Sequence, residues 1–424
     1  MKIRTGTTRG AQGLPEAAWL GLALKLAADP QATLSEFVVS AGLEAFSDLI
    51  KEEVEQLAGP RGKKRPERTV NRWGHRKARL PLGGRTVTLD VQRVRAQDGG
   101  EVTLTSVARF QSRDVLAERV IKQILSNVST RGYQGTLDVA PGGVKTAGAS
   151  KSAVTRRFVA ATQARVEAAL SRSLSDLRPV VLYLDGLNAG RSSTIVAMGV
   201  EADGKKNVLG LRLGSTENAV LCTDLLQSLL ARGLCIDGTI LCVIDGGKGL
   251  RKALVDVLGD RAVIQRCQLH KMRNVEGYLP KAKRAYVLGQ MRQAYKAHTA
   301  SSARKLLVHL ASWLERGGHE DAAASLREGL EETLTVLKLD LSRTLTRSLS
   351  TTNAVENVMS SIRRTTRNVK RWRNPSMIRR WVGLSILEAQ KKFRRLKGHS
   401  EMNTLVAALA RLHPASNASN TVAA

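Results

Sequence analysis

Two aspartates stand at the ends of apolar runs: Asp185 in VVLYLDG (180–186) and Asp245 in TILCVIDG (239–246). For Asp245, within LCVIDGGKGL (241–250), three readings are open. It is a turn residue, since Asp ends strands for local hydrogen-bonding reasons, or part of a phosphate loop, or a metal ligand. The phosphate loop fails on spacing. G-x-x-x-x-G-K-[ST] needs glycine where Cys242 stands and a hydroxyl where Gly249 stands. The ligand reading gains from the second Asp-Gly. Strand ends of a parallel-type sheet gather ligands at one edge, so Asp185 and Asp245 approach each other if their strands are neighbours. Paired carboxylates raise each other's pKa. A divalent cation relieves that penalty, and carboxylate oxygens suit Mg²⁺ or Mn²⁺.

A third acid is needed to hold two ions, and Glu356 is the candidate. Its segment TTNAVENVMSSIRRTTRNVKRW (351–372) opens as a helix, with Ser350, Thr351 or Thr352 as N-cap. Val355, Val358, Met359 and Ile362 form an apolar stripe, and Glu356, Ser360, Arg363 and Arg367 form a polar one beside it. A lone Glu at a helix start ordinarily compensates the helix dipole. Here its stripe runs into RRTTRNVKRWR (363–373), where Arg363, Arg364, Arg367 and Lys370 are placed to grip phosphates.

The rest of the chain must position these groups. It has 424 residues, 67 Lys+Arg against 37 Asp+Glu, and a net charge of +30. That length allows two or more domains. The charge attracts polyanions, nucleic acid first, an anionic membrane surface second, and a ribosomal or histone-like role third. At 42% hydrophobic the chain is not a disordered basic tail. Its four cysteines (Cys222, Cys235, Cys242, Cys267) contain no CxxC pair, which argues against a four-cysteine zinc site and fits a reducing cytosol. AAWLGLALKLAA faintly imitates a signal peptide, but Glu16 and Lys25 break it and no small-x-small cleavage site follows. No stretch approaches the ~20 apolar residues of a membrane span.

Residues 15–58 read as helical, with Leu34, Phe37, Val38, Leu43, Phe46, Leu49 and Ile50 near helical spacing. Segments 68–80 and 83–96 alternate apolar and charged residues and read as a basic hairpin turning at LGG. A helical block runs over 115–137. GASKSAVTRRF (148–158) resembles the turn and second helix of a helix-turn-helix, with two ordinary packed helices as the plain alternative. After Pro179 come three short apolar strands, then helix, strand, helix, strand, an α/β order. A stretch rich in helix formers follows, broken at Pro280 and Gly317-Gly318. The expected divisions are 1–58, helical; 59–112, basic linker and hairpin; 113–178, DNA-binding; 179–269, core; 270–345, helical insertion; 346–400, core; and 401–424, tail.

QRCQLHKMRN (265–274), with VIDGGKGL upstream and STTNAVENVMSSIRRTTR (350–367) downstream, resembles the Mutator-like family of bacterial insertion-sequence transposases. VSTRGY (128–133), GASKSAVTRRF and WGHRKARL extend the likeness over most of the chain. The resemblance implies an α/β, RNase H-like catalytic core with a DDE triad, interrupted by an all-α insertion and preceded by a mainly helical DNA-binding region. The positions carried over are Asp185, Asp245 and Glu356, with two Mg²⁺ or Mn²⁺ ions as cofactors. The family often has proline after the Thr-Asn pair and LERLN around the Glu; here the run is Asn353-Ala354-Val355-Glu356-Asn357. Cys267 and His270 match its C-x-x-H, either as a structural pair or as support for the catalytic pocket. The implied activity is cleavage at terminal inverted repeats and joining of the 3′-hydroxyl to target DNA, in the bacterial cytoplasm or nucleoid. Arg131, Lys151, Arg156 and Arg157 are the expected repeat contacts, and a homodimer or larger assembly is expected to pair the ends. An RNase H-like nuclease or resolvase that cuts without joining is one rival, and a catalytically inactive DNA-binding regulator is the other.

Overall fold

The computed structural model describes residues 30–62, 69–112, 115–138, 140, 144–189, 192–216 and 218–412. The signal-like AAWLGLALKLAA, the expected helix over 15–29 and the end of the tail lie outside them. The chain divides into two units, 1–161 and 162–424.

In the first unit α1 (Pro30–Ala58) precedes β1 (Val70–Leu82) and β2 (Arg85–Ala96), an antiparallel hairpin whose last pair is Leu82↔Arg85. That register leaves Gly83 and Gly84 as a two-residue turn. Both have positive φ (58° and 83°), the conformation a hairpin turn of this length demands. β3 (Glu101–Val102) pairs with β2, and α2 (Thr105–Ser112) and α3 (Val115–Leu125) follow. β4 (Thr146–Ala147) also pairs with β2, and α4 (Lys151–Ser171) runs across the division. Phe46, Ile50 and Val54 of α1 share a core with Ala78, Leu80, Val87, Val91 and Val94 of the hairpin.

Three expectations differ here. Leu34, Phe37, Val38 and Leu49 are exposed, because the hairpin covers only one strip of α1. α3 stops at Leu125 instead of reaching 137, with Asn127 in the left-handed region (φ 67°) just beyond. And α3 and α4 are not joined by the short turn of a helix-turn-helix. A 3₁₀ turn, Tyr133–Thr136, and β4 intervene. The buried Tyr133 hydroxyl donates to the Gly84 carbonyl at 2.8 Å, which fastens VSTRGY to the hairpin turn.

The second unit is built on β5 (Pro179–Ala189), β6 (Ser192–Glu201) and β7 (Lys206–Gly214), then α5 (Ala219–Ala231), β8 (Ile240–Ile244), α6 (Lys248–Leu258) and β9 (Ala262–Arg266). The five-stranded sheet has the order β7-β6-β5-β8-β9. β5, β6 and β7 pair antiparallel; β5, β8 and β9 pair parallel. The strands carry apolar residues on both faces because both are covered. Leu182, Leu184, Cys242 and Ile244 face Leu225, Leu229, Leu250 and Leu254 of α5 and α6.

Next come α7 (Gln268–Gly277), α8 (Lys281–Ala294), α9 (Ala300–Arg316) and α10 (Glu320–Arg327), with a core of their own around Val275, Val287, Met291, Leu307, Leu314 and Leu326. The breakers act as expected. Pro280 precedes α8, and Gly317-Gly318 parts α9 from α10. The short α11 (Leu330–Thr333) and α12 (Thr335–Lys338) lead back to α13 (Arg343–Leu349), α14 (Asn353–Thr365), α15 (Pro375–Gln390) and α16 (Met402–Leu412). These cover the other face, where Val181, Tyr183 and Val243 meet Leu349, Val355, Val358, Ile362 and Val382. The fold is mixed α/β. Among the described residues no helix is long and apolar enough to cross a membrane.

Candidate active site

β5 does not end at Asp185, as the apolar run suggested; it continues to Ala189 against β6. What does end there is its parallel pairing. The last β5–β8 pair is Leu184↔Ile244, and the last β8–β9 pair is Ile244↔Arg266. Asp185, Asp245 and Cys267 each follow by one residue, so three neighbouring strands deliver them to one edge. The Cys267 amide still donates to the Ile244 carbonyl at 2.7 Å. Side chains alternate along a strand, so Asp185 and Asp245 take the face of Tyr183 and Val243, the face covered by α14.

The start of α14 is fastened to that edge. Tyr183 Oη donates to the Ser348 carbonyl at 3.2 Å, and the Gln268 amide to the Ser350 carbonyl at 3.0 Å. Thr352 occupies the N-cap position without making a side-chain cap. Its hydroxyl meets Cys267 Sγ at 3.4 Å and His270 Nδ1 at 3.3 Å, and its amide donates to the same sulfur at 3.4 Å. The C-x-x-H and S-T-T-N segments are therefore two halves of one joint. Val355, Val358, Met359 and Ile362 are buried, as their spacing predicts, and Glu356 is turned toward the strand edge.

α14 is shorter than expected. Thr365 and Thr366 bond back to carbonyls of Ser361 and Ile362, which competes with helix continuation. The helix ends there, so Arg367 and Lys370 lie beyond it and the polar stripe stops at Arg363. Arg363, Arg364, Arg367 and Lys370 are all exposed.

Asp185 is only 6% exposed. Its pKa is raised from 3.8 to about 6, chiefly by burial; nearby Asp245 and Glu356 also push it up, while His270 and the Gly186 amide pull it down. Asp245 Oδ1 accepts from the Gly247 amide at 2.8 Å, so it is a turn residue as well as a member of the cluster. Gly246 between them has φ +105°, which favours glycine. Glu356 lies 3.3 Å from Arg273 Nη1 and 3.7 Å from His270 Nε2. His270 is held above its ordinary pKa by its bond to Cys267; burial opposes this, and the charges of Asp185 and Asp245 reinforce it. Burial pushes the Cys267 thiol up, but bonds from His270 and Thr352 outweigh it and bring the thiol below its usual value. Cys267 and His270 thus join two segments through Thr352, and His270 also lies beside Glu356.

A stability prediction follows from Asp185. With its pKa raised on folding, the folded chain binds the extra proton between about pH 4 and 6. Stability then falls as pH rises through that window and stays lowered above it. The shift from 3.8 to about 6 corresponds to a penalty on the order of 3 kcal/mol. Asp185→Asn, which keeps an acceptor for the Gly186 amide, is expected to raise the thermal midpoint at pH 7 by several degrees and to leave it unchanged at pH 4. Equal shifts at both pH values in melts would contradict this account.

Other polar residues of the QRC segment escaped the sequence reading. Gln265 is fully buried. Its amide donates to the Arg266 and Thr333 carbonyls, and its oxygen accepts from the Val336 amide at 2.8 Å. Arg266 bonds Glu332 at 2.7 Å, and Lys271 donates to the Ser325 and Glu328 carbonyls, both at 2.6 Å. Arg273 was missed too. The available signal was a run of polar residues directly after a buried strand.

In the first unit Arg131, Lys151 and Arg156 are exposed. Arg157 is half-buried and donates to the Gly148 carbonyl at 3.0 Å, so part of its capacity serves the fold.

By donor type, Asp185, Asp245 and Glu356 suit a hard divalent cation, and the two neighbouring carboxylates that raise Asp185 are the kind of crowding such an ion relieves. Among the described residues, no three His, Cys, Asp or Glu side chains stand as a ligand set for one ion; Glu356 is engaged by Arg273 instead.

Comparison with known proteins adds independent findings. Residues 23–395 match the family described as "Transposase, Mutator family". The chain is 27% identical over 361 residues to the transposase for insertion sequence element ISRM5 of Rhizobium meliloti (strain 1021), covering 83% of this chain and 87% of that protein. It is 25% identical over 344 residues to the transposase for insertion sequence element IS256 in transposon Tn4001 of Staphylococcus aureus, covering 76% and 83%. A shorter match, 32% over 198 residues, links it to the transposase for insertion sequence element IS406 of Burkholderia multivorans, covering 46% and 49%.

Proposed function

Because the chain belongs to the Mutator family of transposases, we propose that it is a DDE transposase that cuts DNA at the ends of an insertion sequence and joins the 3′-hydroxyl to a target. The observation that carries this reading is the register of the sheet, which sets Asp185 beside Asp245 at the edge faced by Glu356. The strand order 3-2-1-4-5, antiparallel then parallel, supports an RNase H-like core, with residues 270–345 as its helical insertion.

In this reading Asp185, Asp245 and Glu356 would hold two Mg²⁺ or Mn²⁺ ions, whose chemistry there would be activation of a water or 3′-hydroxyl and stabilisation of the leaving 3′-oxygen. The protein's own groups do the rest. Asp245 is oriented by its bond to Gly247, and Asp185 by its bond to Gly186. Thr352 and Cys267 set the height of α14 above the edge. His270 stands 3.7 Å from Glu356 and offers it positive charge when protonated. Arg363, Arg364, Arg367 and Lys370 grip phosphates flanking the reaction centre. Cleavage and joining are both in-line displacements between oxygens, so one arrangement serves both and no covalent protein–DNA bond is required.

Arg131, Lys151, Arg156 and Arg157 of the first unit contact the terminal inverted repeats, with phosphates giving affinity and a few base edges giving specificity. The exposed Leu34, Phe37, Val38 and Leu49 of α1 support self-association of two or more copies on paired ends, in the cytoplasm or nucleoid. Arg131→Ala is expected to weaken end binding a fewfold and to lower the salt slope by about one. Anisotropy titrations from low to high salt measure both, and an unchanged slope removes Arg131 from the phosphate contacts.

The decisive experiment incubates the chain with labelled terminal repeats, Mg²⁺ and a plasmid target. Joined products support the transposase. Cuts without joining point to a nuclease or resolvase, and binding alone to a regulator.

A further inference from the structure

One cleft in the second unit is not used by the function proposed above. It has a volume of about 700 Å³ and lies between α7 and α10, within the size range of small-ligand sites. Arg273, Asn274 and Gly277 line it from α7 and Tyr278 from the cap just beyond, with Asp321 and Ser325 from α10. The two walls differ in chemistry. Asn274 and Tyr278 are four residues apart, as are Asp321 and Ser325, so each pair shares one helix face.

Three features select the ligand. Arg273 belongs both to the cleft and to the carboxylate site, since its Nη1 lies 3.3 Å from Glu356 while its side chain is 57% exposed. An exposed ion pair of this kind holds weakly, so a phosphate entering the cleft competes for the guanidinium on favourable terms. Tyr278 is a large aromatic residue left 58% exposed at the cleft wall, a surface on which a base can stack. Between them Gly277 presents bare backbone: a Cβ there would meet nothing within 4 Å, so a flat ring can approach closely. Asp321, Ser325 and Asn274 offer hydrogen-bonding groups for a base edge.

We infer that this cleft seats one nucleotide of the DNA substrate, next to the bond that is cut, with Arg273 taking its phosphate and Tyr278 its base. Arg273 then leaves Glu356 as the phosphate arrives, which frees that carboxylate in the same step that loads the DNA. The inference rests on the DNA-cleaving reading above. Arg273 and Tyr278 both touch substrate, so their roles are binding and orientation at the reacting centre.

The test uses photo-crosslinking of the full chain, without divalent metal, to terminal-repeat duplexes carrying 5-iododeoxyuridine at one position at a time, with mass spectrometry to locate the attachment. Crosslinks to Tyr278 are expected only from the one or two positions flanking the cut. Tyr278→Phe keeps them and Tyr278→Ala loses them. With Mg²⁺, Tyr278→Ala is expected to cut about tenfold more slowly. Gly277→Leu fills open space without a backbone penalty. It should fold with an unchanged melting point, lose the crosslink and lose most cleavage, while overall end binding falls less than about threefold, since the phosphate contacts elsewhere persist. Crosslinks that map elsewhere, or Gly277→Leu cutting at the wild-type rate, would overturn the inference while leaving the cleavage reading intact. Free 5-iododeoxyuridine monophosphate crosslinking Tyr278 as efficiently as the duplex would also overturn it, by making the cleft a mononucleotide site. A wild-type chain that neither cuts nor joins ends sinks the cleavage reading, and this inference with it.

Discussion

Asp245→Asn is expected to lose cleavage and joining by on the order of a thousandfold or more, while binding of terminal-repeat DNA stays within about twofold of wild type. The substitution is close to isosteric and spares the fold. The residue lies one position past the last β8 pair, and an amide oxygen can still accept from the Gly247 amide that Asp245 now binds. What is removed is a negative charge beside Asp185. Two carboxylates at adjacent strand ends have no structural use that needs both charges, since their repulsion raises Asp185 and costs stability. Their retention makes sense where a divalent cation supplies the attraction. The measurement is a single-turnover nicking assay alongside an anisotropy titration on the same preparation. An Asp245→Asn chain that cuts at the wild-type rate takes Asp245 out of the chemistry. A chain that neither cuts nor binds leaves the loss attributable to the fold, and its melting curve decides.

The parts of the site that were legible in the sequence are those set by short-range rules. Two apolar runs reaching Asp-Gly pointed to the carboxylate pair, because the parallel ladder of β5 and β8 stops one residue before each aspartate. The spacing of Val355, Val358, Met359 and Ile362 gave the face of α14, and with it the direction of Glu356. The hairpin was legible down to its turn, since two glycines in succession answer to one turn geometry. What was hidden depends on tertiary contacts. No periodicity shows that Thr352 spends its hydroxyl on Cys267 and His270 instead of capping its own helix. None shows that Arg273 reaches Glu356 from another helix. The helix-turn-helix likeness misled because small residues before a basic helix suit several backbones; here they follow β4, which pairs with the hairpin. The extension of α14 to Arg367 misled because threonines that bond back to carbonyls look, in sequence, like any other polar position.

Lys271→Met is expected to cost about 3 kcal/mol and to lower the melting midpoint by on the order of 10 °C, with cleavage falling as a consequence. Lys271 is 3% exposed, and burial lowers its pKa against the attraction of Glu328. Its ammonium donates to the carbonyls of Ser325 and Glu328, which close α10. Helix ends leave such carbonyls without partners, and a cation there also answers the helix dipole. Methionine fills the same volume but offers no donor, so two buried acceptors lose their bonds. Glu328 would keep only the Arg266 guanidinium, 3.7 Å away. The consequence reaches the site through α7, because Lys271 stands between His270 and Arg273, both of which face Glu356. A loosened α7 therefore misplaces both the imidazole and the guanidinium beside that carboxylate. Lys271→Arg, which keeps the charge but not the fit, should fall between wild type and Met. A Lys271→Met chain melting within a degree of wild type would show that the buried ammonium does not hold α10 to α7, and the dependence of the carboxylate edge on the helices beyond it would have to be sought at Gln265 and Arg266 instead.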